Sequence, residues 1–127
     1  MTTTQVDDLL EVMLDTRTCL ELVDRSGAAT LACTDKAMPS VVPVSVRVSR
    51  AGIHLVVEHA PDPSRLAGQI VAIGTGVPAT PRSTGWWVVV RGELVEREGR
   101  AGSFELVPSE VEGRALPATA RGGWWRC

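Results

Sequence analysis

Tyrosine is absent from this 127-residue chain, phenylalanine occurs once, and four tryptophans complete an aromatic share of only 4%. The core must therefore be built from Val, Leu, Ile and Ala, and few rings remain for stacking on a ligand. Cysteine is scarce too. Cys19, Cys33 and Cys127 lie far apart with no CxxC spacing, which excludes a zinc motif and, with an odd count, a secreted disulfide framework. Cys19 and Cys33 read as small buried hydrophobes and Cys127 as a thiol at the chain end. No run approaches the roughly 20 apolar residues of a membrane span. The start, MTTTQVDD, lacks the basic and apolar regions of a signal peptide. The expectation is a cytoplasmic domain without a membrane partner. A positive surplus is also missing: the net charge is -2, without the basic stripe that general nucleic-acid binding requires.

Chemical motifs are equally sparse. No GxGxxG occurs, and the Gly-rich string GTGVPAT from Gly74 lacks the Lys-Ser/Thr of a phosphate loop. Ser83 has no GxSxG context. His54 and His59 have no third ligand nearby, so no metal site is expected. No residue is assigned as catalytic.

What the chain does contain is alternation. Residues 4–14 place Val6, Leu9, Leu10, Met13 and Leu14 at helical spacing after a Thr4 cap, and a second helix runs from an Asp15 cap to the stop at Asp24–Gly27. From Gly27 the period changes to two. Strands are expected at 28–34, 40–49, 53–59, 70–75, 86–97 and 103–107. In the second of these, Val42, Val44, Val46 and Val48 face one side, and Pro43 demands an edge or a bulge. Asp62 or Ser64 caps a short helix through Gln69, and Gly92 marks a bulge in the longest strand. Arg91 and Glu93 share a strand face as a surface ion pair. Residues 108–127 read as a poorly structured tail. Together these give one domain over 1–127: a helical start at 4–24, an antiparallel barrel at 27–107, then the tail.

The succession CLELVDRSGAATLACTDKAMPSVVPVSVRV, then Ser64-Arg65-Leu66, then TGWWVVVRGELVE resembles the pyridoxamine 5′-phosphate oxidase-like split-barrel family. The likeness is nearest to its small bacterial flavin-nucleotide-binding proteins. Gly27–Ala32 stands for the family's Gly-Arg-Leu-Ala strand, Ala37-Met38-Pro39 for its Gly-x-Pro turn, and Val41–Val44 for its Val-Val-Pro-Val strand. Thr84–Gly92 is close to its Thr-Gly-Trp strand, and Val107–Arg114 has a counterpart in its late Pro-containing segment. The order spans roughly residues 15–116.

The resemblance implies a six-stranded antiparallel split β-barrel with N-terminal helices. It also implies a homodimer, with FMN in grooves between the subunits and possible FMN-dependent oxidoreduction of a small molecule. For the phosphate it points to Arg47 with Ser45, and to Ser64 with Arg65. For the isoalloxazine wall it points to Trp86 or Trp87, with Trp124 or Trp125 closing the site from the partner. Deazaflavin or haem are alternatives on the same scaffold. The chain also departs from the family. Ser45-Val46 replaces an Asn-Tyr or bulky aromatic, Glu58-His59 a phosphate-contacting Arg-Thr, and Gly74-Thr75-Gly76 an acidic stretch. The other reading is therefore a split-barrel dimer without flavin that serves as a binding or structural protein.

Overall fold

The computed structural model describes residues 12–58, 62–97 and 99–118. The elements are β1 (Val12–Met13), α1 (Thr16–Ser26), β2 (Ala28–Asp35), β3 (Met38–Ser49), β4 (Gly52–Val56), a 3-10 turn (Pro63–Leu66), β5 (Ile70–Val77), β6 (Gly85–Glu96) and β7 (Ser103–Leu116). In the order β7-β4-β3-β2-β5-β6, closed by the β6–β7 pairing, six strands make a ring to which β1 is added along β7. Every pairing is antiparallel. The expected six-stranded barrel is what the residues form.

Period-two patterning builds the ring. Val44 and Val46 of β3, Leu31 of β2, Ile53 and Leu55 of β4, Ile73 of β5, Val88, Val90 and Leu94 of β6, and Phe104 and Leu106 of β7 all point into one buried cluster. Phe104, the only phenylalanine, is fully buried there, so the aliphatic core expected from the composition is formed around one ring. Helix α1 is held at both ends. Asp15 accepts from the Thr18 N–H at 2.7 Å, and Gly27, at φ 71°, returns its N–H to the Val23 carbonyl. Asp24 reaches from the helix to accept from the Val48 N–H at 2.8 Å, satisfying β3 where β2 has ended.

Two close approaches need glycine. At Gly92 the β6–β7 register shifts, and an added Cβ would strike the Val107 carbonyl oxygen. This is the expected bulge, and Pro108 sits opposite it, where a missing N–H does least harm. At Gly113 an added Cβ would lie 2.7 Å from the Cys19 sulfur, so the absent side chain is what lets α1 lie on the sheet.

These glycine and proline positions explain the main correction. The expected tail from residue 108 is instead the second half of a 14-residue strand that pairs with β6 as far as Leu116. Its breakers sit where the bulge and the helix contact accommodate them. The barrel thus extends beyond 107, and residues 119–127, with Trp124, Trp125 and Cys127, lie outside the described residues. The expected helix at 4–14 is also corrected in part. Val12 and Met13 pair with Ala115 and Arg114, because the longer β7 offers them a free edge. Residues 4–11 lie outside the described residues.

Smaller corrections follow. Strand β4 stops at Val56 rather than reaching 59, and β5 runs on through Val77. The Asp62 cap holds a 3-10 turn of four residues rather than a helix through Gln69. Arg91 does not pair with Glu93. It donates across to β7, to Glu110 at 2.5 Å and Glu112 at 2.7 Å, because cross-strand neighbours stand closer than residues two apart on one strand.

Candidate functional site

The two ends of the β2–β3 ladder are chemically different, and the expected site residues divide between them. At the end where the β2–β3 hairpin turns, a cavity of about 370 Å³ is lined by Cys33, Asp35, Ser40, Val42, Arg65 and Leu66, with Thr34, Lys36 and Asp62 completing its wall. The chain leaves β4 at Val56 and returns as the 3-10 turn, whose Leu66 is buried under the barrel. This places Arg65 on the cavity wall. Its Nη1 donates to Asp35 at 3.3 Å, and its Nε lies 4.0 Å from Asp62. Asp62 is committed further: it accepts from the Ser64 hydroxyl at 2.6 Å and from the Ser64 N–H at 3.2 Å. The Ser64 hydroxyl, then the Ser64 N–H and the Arg65 charge, hold the Asp62 carboxyl below its ordinary range. Burial pushes the Cys33 thiol up, against a hydrogen bond with Ser40, so it is not an activated nucleophile.

Gln69 fixes this geometry. Its side chain accepts from the Thr34 N–H at 3.0 Å and donates to the Thr34 carbonyl at 2.9 Å, while also donating to the Arg65 carbonyl at 2.9 Å. The β2–β5 ladder ends at Ala32↔Ala72, and the glutamine amide supplies one more rung in place of a peptide group. The hairpin tip is held as well. Lys36 and Ala37 adopt φ 52° and 65°, the left-handed turn that suits hairpin twist but is usually left to Asn and Gly. Sequence reading missed Gln69 and Asp35. A glutamine on a strand flank carries no signal until the ladder beside it is known.

Ser45 and Arg47 lie at the other end of β3, exposed on the outer face of the barrel, with Val56 and His54 as cross-strand partners. Among the described residues no hydrogen bond or ion pair engages the Arg47 side chain. Trp86 and Trp87 belong to this end too. Trp86 packs inward against the core, in an apolar cleft of about 380 Å³ with Val12, Leu14, Leu22 and Leu116. Trp87 points the opposite way, beside Gly76 and Arg114. Asp35 and Ser45 stand at opposite ends of the ladder in which Ala28 pairs with Ser45, about 24 Å of strand apart at about 3.4 Å per residue. One protomer therefore brings Ser64 and Arg65 together. It does not bring them to Arg47, Ser45 or either tryptophan.

The cavity wall carries two cations, Lys36 and Arg65, and two carboxylates, Asp35 and Asp62. A guanidinium has five N–H donors, and the described contacts of Arg65 commit one of them to a 3.3 Å hydrogen bond. The Ser40 hydroxyl and Lys36 border the same space. Among the described residues no cluster of three or more His, Cys, Asp or Glu could hold a metal ion. Among them, too, no helix is long and apolar enough to cross a membrane.

Several solved structures share this fold. An FAD-binding protein of Mycobacterium smegmatis superposes with a TM-score of 0.69 at 16% identity, covering 84% of this chain and 98% of its own. An FAD-binding protein of Mesorhizobium loti gives 0.65 at 21% identity over 84% and 96% of the two chains. A candidate pyridoxamine 5′-phosphate oxidase of Corynebacterium glutamicum gives 0.63 at 16% identity over 87% and 96%. The chain has the pyridoxamine 5′-phosphate oxidase-like split-barrel fold. No family model matches it, and no curated protein does.

Proposed function

We propose that this chain is a cytoplasmic flavin-binding protein that works as a homodimer, with FMN held at the hairpin-end cavity and the partner subunit closing it. The observation that carries the reading is the near full-length fold likeness to proteins described as FAD-binding. The cavity adds a cation and hydroxyls beside an apolar floor of Val42 and Leu66. Such a wall binds a planar ring on its apolar side and an anion at its rim. In this reading Arg65 and Ser64 meet the phosphate, with the guanidinium turning from Asp35 toward the ligand. Arg47, Ser45 and the outward Trp87 take part only from the partner subunit, since their own protomer holds them at the far end. When bound, a flavin supplies hydride transfer at its own ring, and the chain's part is to bind it, orient it and exclude water. The dimer is supported by exposed apolar side chains on the outer face of the barrel, where Val41 of β3 is 66% exposed and Ile70 of β5 72%, surface that a second copy would cover.

The test is spectroscopic. Purified protein should take up FMN at tens of micromolar, carry flavin absorbance after desalting and release FMN on denaturation. Arg65→Ala should weaken uptake about tenfold or more, as loss of a charge-assisted contact does. Light scattering should give the mass of a dimer. Colourless protein that stays colourless with FMN sinks the flavin reading and leaves the binding or structural dimer. A haem or deazaflavin spectrum replaces the cofactor instead.

A further inference from the structure

The two carboxylates of the hairpin-end cavity are held in different ways. Asp62 accepts from the Ser64 hydroxyl and the Ser64 N–H, so it stays satisfied within its own turn when Arg65 moves. Asp35 has no such second partner. Among the described residues its carboxylate meets Arg65 alone, at 3.3 Å. The main chain beneath this pair is fixed on both sides. Asp35 closes the β2–β3 ladder opposite Met38, and Gln69 with the buried Leu66 anchors the turn that carries Arg65. The side chains of Asp35 and Arg65 are 41% and 53% exposed, so the pair can open by rotamer changes without moving the backbone. Lys36, on the same wall, makes no ion pair among the described residues.

An anion that reaches Arg65 must therefore replace a carboxylate already there, and must then lie beside it. We infer that Asp35 is an internal competitor for the ligand's anion and sets which anion the cavity accepts. The inference rests on the flavin reading above and names what discriminates at its phosphate end. Exchanging Asp35 for a ligand carboxylate gains nothing at Arg65 and leaves two like charges together. A phosphate monoester differs, with a charge of about −1.5 to −2 at neutral pH and three acceptor oxygens. It can engage the guanidinium and Lys36 together, whereas Asp35 meets the guanidinium alone. A neutral tail leaves the Asp35–Arg65 pair closed. Discrimination thus comes from the cost of displacing Asp35, which only the stronger anion offsets.

The test titrates FMN and riboflavin, which lacks the phosphate, into wild type, Asp35→Asn, Arg65→Ala and the double variant. Asp35→Asn should bind FMN about three- to tenfold more tightly than wild type, the worth of a half-exposed ion pair plus the relieved repulsion. Its affinity for riboflavin should not change. In the Arg65→Ala background the same substitution should gain clearly less, because no guanidinium is left to compete for. Unchanged FMN affinity in Asp35→Asn, an equal gain for riboflavin, or a gain undiminished without Arg65 overturns the inference while the flavin reading stands. If Asp35→Asn fails to fold, competition on wild type decides: at matched ionic strength, inorganic phosphate should displace FMN and acetate should not. Equal displacement by both, or by neither, overturns it. FMN uptake by neither wild type nor Asp35→Asn overturns both readings.

Discussion

The barrel is closed in two ways. At one end α1 lies across the strands: Cys19 fits against Gly113, Asp24 satisfies the Val48 N–H, and an apolar cleft collects Trp86, Leu14 and Leu22. At the other end no α-helix is present among the described residues. Side chains do the closing there, with the Gln69 amide standing in for a peptide rung, Arg65 bridging toward two carboxylates, and one leucine plugging the barrel. Backbone hydrogen bonds inside a helix cannot be traded without unfolding it. Side-chain contacts on a half-exposed wall can be exchanged for ligand contacts at little cost, because exposed pairs are individually weak. The helix end is thus a structural closure and the hairpin end an exchangeable one.

Leu66→Ala should break that contrast most severely. Leu66 is 5% exposed and belongs to the core cluster, so the truncation should cost about 2–5 kcal/mol in chemical denaturation. Hydrogen exchange should rise first at the hairpin and the 3-10 turn. A loss of under about 0.5 kcal/mol, typical of surface sites, would mean that the leucine is not the plug.

Gln69→Glu is smaller and more local. The carboxylate keeps an acceptor for the Thr34 N–H but has no N–H for the carbonyls of Thr34 and Arg65, and it sets a charge against them. The loss should be about 1–2 kcal/mol, the cost of unpaired polar groups. Exchange protection should fall at residues 33–37 and stay unchanged in α1. Equal loss of protection in α1 would show that the two ends are one cooperative unit.

The contrast also sets what a reader of the sequence can see. Patterns with a period reveal themselves: the alternating valines of β3, the Asp15 cap and the Gly92 bulge all follow from local rules. The extension of β7 through Pro108 and Gly113 does not, because each breaker is tolerated for a tertiary reason, the bulge opposite Gly92 and the sulfur of Cys19. At the site, Ser64 and Arg65 are legible as a hydroxyl–cation pair, whereas Asp35 is not, being 30 residues from Arg65 in the chain. Which face each tryptophan takes is fixed by strand parity, and the adjacent pair offers one ring to each side of the sheet.

Acid gives the smallest effect and the finest separation of the two ends. Asp15 and Asp62 are both depressed below the ordinary value of 3.8, Asp15 mainly by the Thr18 N–H and Asp62 mainly by the Ser64 hydroxyl. A carboxyl whose folded pKa is lowered stabilises the fold above its unfolded pKa, and that contribution disappears as pH falls through the folded value. Both caps should therefore be fully effective at neutral pH and be lost below about 3.8. The consequences should differ, because Asp15 starts an 11-residue helix that carries the core residues Cys19 and Val23, whereas Asp62 starts a turn of only four residues in which Leu66 alone is buried. Asp15→Ala should lower Tm at neutral pH by a margin that shrinks toward wild type as the pH drops through that window. Asp62→Ala should leave Tm nearly unchanged and alter only exchange at the 3-10 turn. If the Asp15→Ala difference persists undiminished in acid, the cap does not act through its charge. If Asp62→Ala lowers Tm as much as Asp15→Ala, the hairpin end is no more exchangeable than the helix end.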